Sequence, residues 1–155
     1  SENRLIPDCI KAWSKGKKVI IRNPKSTRPW QHVLEPLSGY LLLCEKMVET
    51  SDNFSESWNF GPDQLGEKTV LWVVNQLIKL VPNTRWKFIK NQKKLKEANL
   101  LKLDITKAKS KLGWKPRWSI EKALDMTVKW YQMSNENVDT MYEYSLEQIK
   151  SYQLG

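Results

Sequence analysis

The chain has 155 residues, 40% hydrophobic and 28% charged, a composition that supports a folded core and argues against wholesale disorder. Its formal net charge is +9, and no apolar run approaches the ~20 residues needed to span a bilayer. Ser1-Glu2-Asn3-Arg4 lacks the basic and apolar regions of a signal peptide, so the expectation is a soluble, cytoplasmic protein that meets no membrane.

The elements are predicted from periodicity and punctuation. Ile6, Cys9, Ile10 and Trp13 fall at helical spacing, with Pro7 in the first turn and Gly16 as the stop. Val19-Ile20-Ile21 reads as a short strand, followed by the polar turn Asn23-Pro24-Lys25-Ser26-Thr27. A helix is predicted from Leu34 to Glu49, with Leu34, Leu37, Leu41, Cys44 and Val48 on one stripe. Tyr40, Leu42 and Leu43 widen that stripe, which predicts burial on most sides. Trp58-Asn59-Phe60 reads as a strand stopped by Gly61-Pro62, and a helix from Glu67 to Leu80 ends before Pro82.

Trp86 to Ile89 and Leu100 to Leu103 are strand candidates. Asp104 is placed to cap a short helix through Leu112 that Gly113 closes. Ser119 caps a further helix to Met133, with Ile120, Ala123, Leu124, Thr127, Val128 and Tyr131 toward the core. The tail from Val138 to Tyr152 repeats the pattern with Met141, Tyr142, Ser145, Leu146, Ile149 and Tyr152. The fold class expected is α/β, in a mixed α+β, helix-rich arrangement.

Cys9 and Cys44 have no partner motif and His32 is the single histidine, so two buried thiols are expected, with no disulfide and no metal site. There is no glycine-rich phosphate loop, and the six glycines are isolated, so no dinucleotide turn is expected. Lysines and arginines crowd 15–25, 85–96 and 102–117 among eight tryptophans. That mixture leaves two accounts open. One is a free-standing basic module for RNA or single-stranded DNA; the other is a positive face for a diphosphate ligand or an acidic partner domain. Arg22, Arg28 and His32 cluster around the polar turn, where arginine's planar fork suits phosphate oxygens. From spacing alone, a solvated basic loop is the simpler account of that cluster.

The segment Arg28-Pro29-Trp30-Gln31-His32-Val33-Leu34-Glu35-Pro36-Leu37 resembles the RPWQHV-(D/E)-PL segment of CDP-glucose 4,6-dehydratases, which are extended short-chain dehydrogenase/reductase enzymes. Similar matches follow family order: Arg4-Leu5-Ile6-Pro7-Asp8, Ile21-Arg22-Asn23-Pro24 and Trp58-Asn59-Phe60-Gly61-Pro62, then Leu101-Lys102-Leu103-Asp104 with Lys107-Ala108 and Leu112-Gly113-Trp114-Lys115-Pro116. Val128-Lys129-Trp130-Tyr131 ends the run, so the resemblance covers roughly residues 4 to 133.

The resemblance implies a substrate-binding domain over 1–133 with a helical tail over 134–155, and a Rossmann half lying outside this chain. It implies that Arg28 binds the substrate diphosphate, and that Leu5, Pro7, Ile21 and Arg22 lie near the nucleotide. His32 and Gln31 would fix the loop rather than act as acid or base. Trp30, Trp114 and Trp130 would be packing residues. The parent enzyme, a homo-oligomer, would dehydrate CDP-glucose to a 4-keto-6-deoxy sugar for polysaccharide biosynthesis, with NAD taking hydride from C4 and returning it to C6. An epimerase of the same family is the neighbouring alternative. The catalytic Tyr-x-x-x-Lys pair and the cofactor turn would precede this chain, leaving it with no catalytic residue, no NAD site and no activity of its own. No specific nucleic acid partner is implied. Lys96-Glu97-Ala98 departs from the family's His-Glu-Ala, which bears on the substrate loop there.

Overall fold

The computed structural model describes residues 4–50, 54–89, 100–136 and 138–155. Its elements are α1 (Leu5–Trp13), β1 (Val19–Ile21), β2 (Thr27–Pro29), α2 (Leu34–Glu49), β3 (Glu67–Thr69), α3 (Val70–Leu80), β4 (Trp86–Phe88), α4 (Thr106–Leu112), α5 (Ile120–Glu136) and α6 (Met141–Leu154). This is the mixed α/β, helix-rich class that the periodicity predicts. The chain divides into two compact units. One comprises Ser1–Arg28 with Lys68–Leu101, the other Pro29–Glu67 with Lys102–Gly155.

In the first unit, β1 and β4 run parallel with Val19 opposite Trp86, Ile20 opposite Lys87 and Ile21 opposite Phe88. Val19 and Ile21 face inward and Ile20 outward, the two-residue alternation of a half-covered strand. Helix α1 packs on β1 and buries Cys9 and Trp13, whose indole N–H donates to the Arg85 carbonyl at 3.0 Å. Helix α3 adds Val73, Val74 and Leu77, all fully buried. It begins at Val70 rather than Glu67. The Thr69 hydroxyl accepts from the Trp72 N–H at 3.2 Å and caps the helix there, while Glu67–Thr69 is extended in β3.

The second unit is built on α2, α4, α5 and α6. Phe60, Ile105, Ala108, Leu112 and Trp114 form one cluster, with Leu42, Leu43, Phe54, Trp58 and Leu103 against it. Trp118, Met126 and Tyr152 form a second, flanked by Leu34. Asp104 accepts from the Thr106 N–H at 2.8 Å one position ahead of the N-cap, which is Ile105 and makes no side-chain cap bond; Gly113, at φ 68°, closes α4. The inward face of α5 is the predicted one, with Ile120, Ala123, Leu124 and Val128 buried and Thr127 and Tyr131 half-buried.

Several expectations are corrected. Helix α2 is not buried on most sides: Glu35 and Gly39 are its buried residues, and Leu37, Tyr40, Leu41, Cys44 and Val48 are exposed. Of the two thiols, only Cys9 is buried. Trp58-Asn59-Phe60 joins no ladder among the described residues. It is held instead through side chains, Trp58 to the Phe54 carbonyl and Asn59 to the Asp104 carbonyl. In Leu100–Leu103 only Leu100 makes a bridge, to Thr27. Helix α6 buries Gln148 and Tyr152 and leaves Tyr142, Leu146 and Ile149 outside, because Gln148 turns inward to donate to the Met126 carbonyl at 2.8 Å.

Candidate functional site

The five residues singled out for substrate binding all lie in the first unit. Leu5, half-buried, and Pro7, exposed, stand in the first turn of α1. Ile21 is buried at the end of β1, and Arg22 follows it in the open. Arg28 is half-buried in β2, where its Nη1 donates to the Thr27 carbonyl at 2.9 Å.

Between the two arginines the chain makes a tight turn, Ser26 N–H to Asn23 carbonyl at 3.2 Å. This turn is clamped to the start of α3. The Val70 and Leu71 N–H groups, which have no partner within the helix, donate to the carbonyls of Ser26 and Pro24, each at 2.9 Å. Ser26 is 3% exposed. The Thr27 carbonyl also accepts from the Leu101 N–H at 3.2 Å. Two guanidinium-bearing positions therefore flank a turn whose backbone is bonded on both sides. Lys96, Glu97 and Ala98 lie outside the described residues.

The surrounding charge is uneven. The first unit carries sixteen of the 26 lysines and arginines but three of the 17 aspartates and glutamates; the second is net acidic.

The rest of the RPWQHV segment belongs to the second unit and is fastened there. Gln31 Nε2 donates to the Phe60 carbonyl at 2.9 Å, while its Oε1 is buried without a hydrogen-bond partner. His32 Nδ1 accepts from the Leu34 N–H, and the imidazole lies 5.0 Å from the Trp118 ring. Burial lowers its pKa from 6.5 to about 4, so the ring is neutral at neutral pH and serves as a fastening. Trp114 is buried, with its indole N–H on the Ser38 hydroxyl; Trp30 and Trp130 are half-buried.

Sequence reasoning missed Glu35. It is 1% exposed, and its carboxylate accepts from the Arg117 and Trp118 N–H groups and, at 2.6 Å, from the Tyr152 hydroxyl. Burial, reinforced by the hydrogen bond to Glu35, raises the Tyr152 pKa, so the hydroxyl stays a donor. A glutamate in a helix's first turn ordinarily reads as a macrodipole partner. The available signal was its position inside the family segment.

Among the described residues no cluster of histidine, cysteine, aspartate or glutamate is arranged to hold a metal, and no helix is long and apolar enough to cross a membrane. Nor do these residues fit a dinucleotide. The fit would need glycines opening a helix at a phosphate. Instead Gly39 sits mid-helix against Phe60, Gly61 against Leu103 and Gly66 against Pro62.

A family model described as GDP-mannose 4,6 dehydratase matches residues 2–127. A CDP-glucose 4,6-dehydratase from Salmonella typhimurium (strain LT2) is 42% identical over 132 residues, which is 85% of this chain and 37% of that protein. A dTDP-glucose 4,6-dehydratase from Bacillus anthracis, determined in complex with NAD, superposes with a TM-score of 0.70 at 25% identity, over 86% of this chain and 40% of that one. A UDP-glucuronic acid 4-epimerase from Bacillus cereus, in complex with UDP-glucuronic acid and NAD, gives 0.70 at 20% identity, over 84% and 40%. The chain thus spans about two-fifths of the relatives it matches. With most of its length matched by one family model, it belongs to the GDP-mannose 4,6 dehydratase family, within the extended short-chain dehydrogenase/reductases.

Proposed function

We propose that this chain is the C-terminal, nucleotide-sugar-binding part of a CDP-glucose 4,6-dehydratase, an enzyme that removes water from CDP-glucose to give a 4-keto-6-deoxy sugar. The observation that carries the reading is the 42% identity to a CDP-glucose 4,6-dehydratase across 132 residues. The first unit supplies the anchor. Arg28 takes the diphosphate through its planar fork, Arg22 adds charge, and Leu5, Pro7 and Ile21 form the wall beside the nucleotide. Two charge-assisted hydrogen bonds from one guanidinium are worth about 2–5 kcal/mol in a desolvated site. The tail from 134 onward is a support for the domain, as the Tyr152 hydrogen bond to Glu35 suggests. The cofactor and the catalytic base belong to the portion of the enzyme outside this chain, so the chain positions substrate and does not turn it over.

Calorimetric titration of CDP-glucose into the chain, alone and joined to the cofactor portion of the Salmonella relative, tests this. Arg28→Lys keeps the charge and loses the fork, so affinity falls; Arg28→Ala lowers it further, by about tenfold or more. The melting temperature stays put. Unchanged affinity in a stable Arg28→Ala protein removes the anchor role, and no CDP-glucose binding in either form overturns the substrate. Turnover by the chain alone would return the catalytic groups to it.

A further inference from the structure

We propose that Tyr152 is a positioning residue for the segment Pro29–Val33, the stretch that continues directly from Arg28, and that through it the tail helix sets how tightly the chain holds a nucleotide sugar. The inference rests on the functional reading above and deepens it. It makes the anchor depend on a residue that lies beyond 2–127, the span that the family model matches.

Tyr152 is 4% exposed and reaches the segment by two routes. The first is polar. Its hydroxyl donates to a Glu35 side-chain oxygen at 2.6 Å and lies 2.9 Å from the Ser38 hydroxyl, which accepts the Trp114 indole N–H at 3.0 Å. The same Glu35 side chain accepts the backbone N–H of Arg117 at 3.1 Å and of Trp118 at 2.8 Å. The Glu35 N–H in turn donates to the His32 carbonyl at 3.1 Å, so the first turn of α2 is tied to the segment's own backbone. The second route is aromatic. The Trp118 ring neighbours two others, Tyr152 at 5.1 Å and His32 at 5.0 Å. Both routes end at His32, whose Nδ1 accepts from the Leu34 N–H.

Arg117 ties the tail into this arrangement from the other side. Its guanidinium donates to the Tyr152 carbonyl at 3.2 Å and the Gln153 carbonyl at 2.9 Å, in the last turn of α6. Packing does not require the hydroxyl, since a phenylalanine would fill the same ring position in the cluster of Trp118 and Met126. What the hydroxyl adds is direction: a hydrogen bond holds at one geometry, whereas a packed ring tolerates several. A guanidinium fork makes both its bonds at once only when the backbone carrying it is held, so a fixed segment directly after Arg28 keeps the fork preorganised.

The test compares Tyr152→Phe, which keeps the ring and removes the hydroxyl, with Ser145→Ala. The latter removes a different contact of the same helix, the Trp130 indole bond at 3.2 Å, two turns earlier and part of neither route. His32 is the chain's single histidine, so the carbon-bound protons of its imidazole give an assignable NMR reporter of the segment. Tyr152→Phe should move the His32 resonances and weaken CDP-glucose binding, measured by calorimetry, by about three- to tenfold, the worth of one hydrogen bond. Ser145→Ala should lower the melting temperature and leave both readings at wild-type values. Unmoved His32 resonances in a folded Tyr152→Phe protein overturn the proposal. So does an unchanged affinity where the wild type binds CDP-glucose. An equal loss of affinity in Ser145→Ala overturns it too, because the effect would then follow stability alone. If the wild type binds no CDP-glucose, the functional reading falls, and the His32 resonances still decide the placement: movement confined to Tyr152→Phe upholds the role of Tyr152 in holding the segment, and none overturns it.

Discussion

His32 and Glu35, three residues apart, are both buried polar groups, and each is made tolerable by a different device. The Glu35 side-chain oxygens accept from two backbone N–H groups and a tyrosine hydroxyl. His32 has one backbone donor at Nδ1 and stays neutral. Its folded pKa, about 4, lies below the 6.5 of the free side chain, so the unfolded chain binds the extra proton first. The stability this neutral ring contributes is therefore complete above pH 6.5 and lost as pH falls toward 4. By about pH 5 the loss should reach about 2 kcal/mol, and urea unfolding of wild type and His32→Asn between about pH 7 and 5 reads it. His32→Asn removes the titration, so its pH slope should be flatter over that range. Parallel slopes would mean that His32 is not held neutral.

Among the elements, α2 shows how one glycine can be fixed by a neighbour rather than by its own backbone. Glycine in a helix interior costs about 1 kcal/mol relative to alanine, so Gly39→Ala ought to stabilise on propensity alone. A methyl group at that position would run into the Phe60 ring, which is itself wedged edge-on against Trp114 at 5.1 Å. Overpacking costs about 1–3 kcal/mol, so the net effect of Gly39→Ala should be destabilising. Adding Phe60→Leu removes the obstructing ring edge, and the double variant should lose less than the two single changes combined. Strict additivity in chemical denaturation would show that Gly39 is not there for Phe60. Phe60 also explains why Gln31 was hard to interpret from sequence: the amide's partner is a carbonyl 29 residues away.

For the molecule as a whole, the positive charge needs its own account. Concentrated in the first unit, it exceeds what one diphosphate requires, and such an excess attracts any polyanion through counterion release. Binding to single-stranded DNA or RNA should accordingly be weak and indifferent to base sequence, and between about 50 and 200 mM salt it should fall by about tenfold or more. Fluorescence anisotropy with unrelated oligonucleotides checks this. Tight retention of one sequence at about 150 mM salt would favour the nucleic-acid module that composition alone left open.

What the sequence determined by itself is local or motif-borne. Gly113 closes α4 as its position after the short helix predicts, because a left-handed turn is decided within three or four residues. The boundaries of α2 were legible in its run of apolar spacing, and the RPWQHV segment pointed to the family. The tertiary structure alone decided which faces are covered. The tail's Tyr152 and the Arg117–Trp118 turn had to arrive at Glu35 from 82 to 117 positions away before that carboxylate became a buried anchor. Periodicity placed apolar residues on two sides of α2, yet it carries no information about which side has a neighbour. Burial is a relation between distant segments, and a one-dimensional pattern records only one partner of each pair.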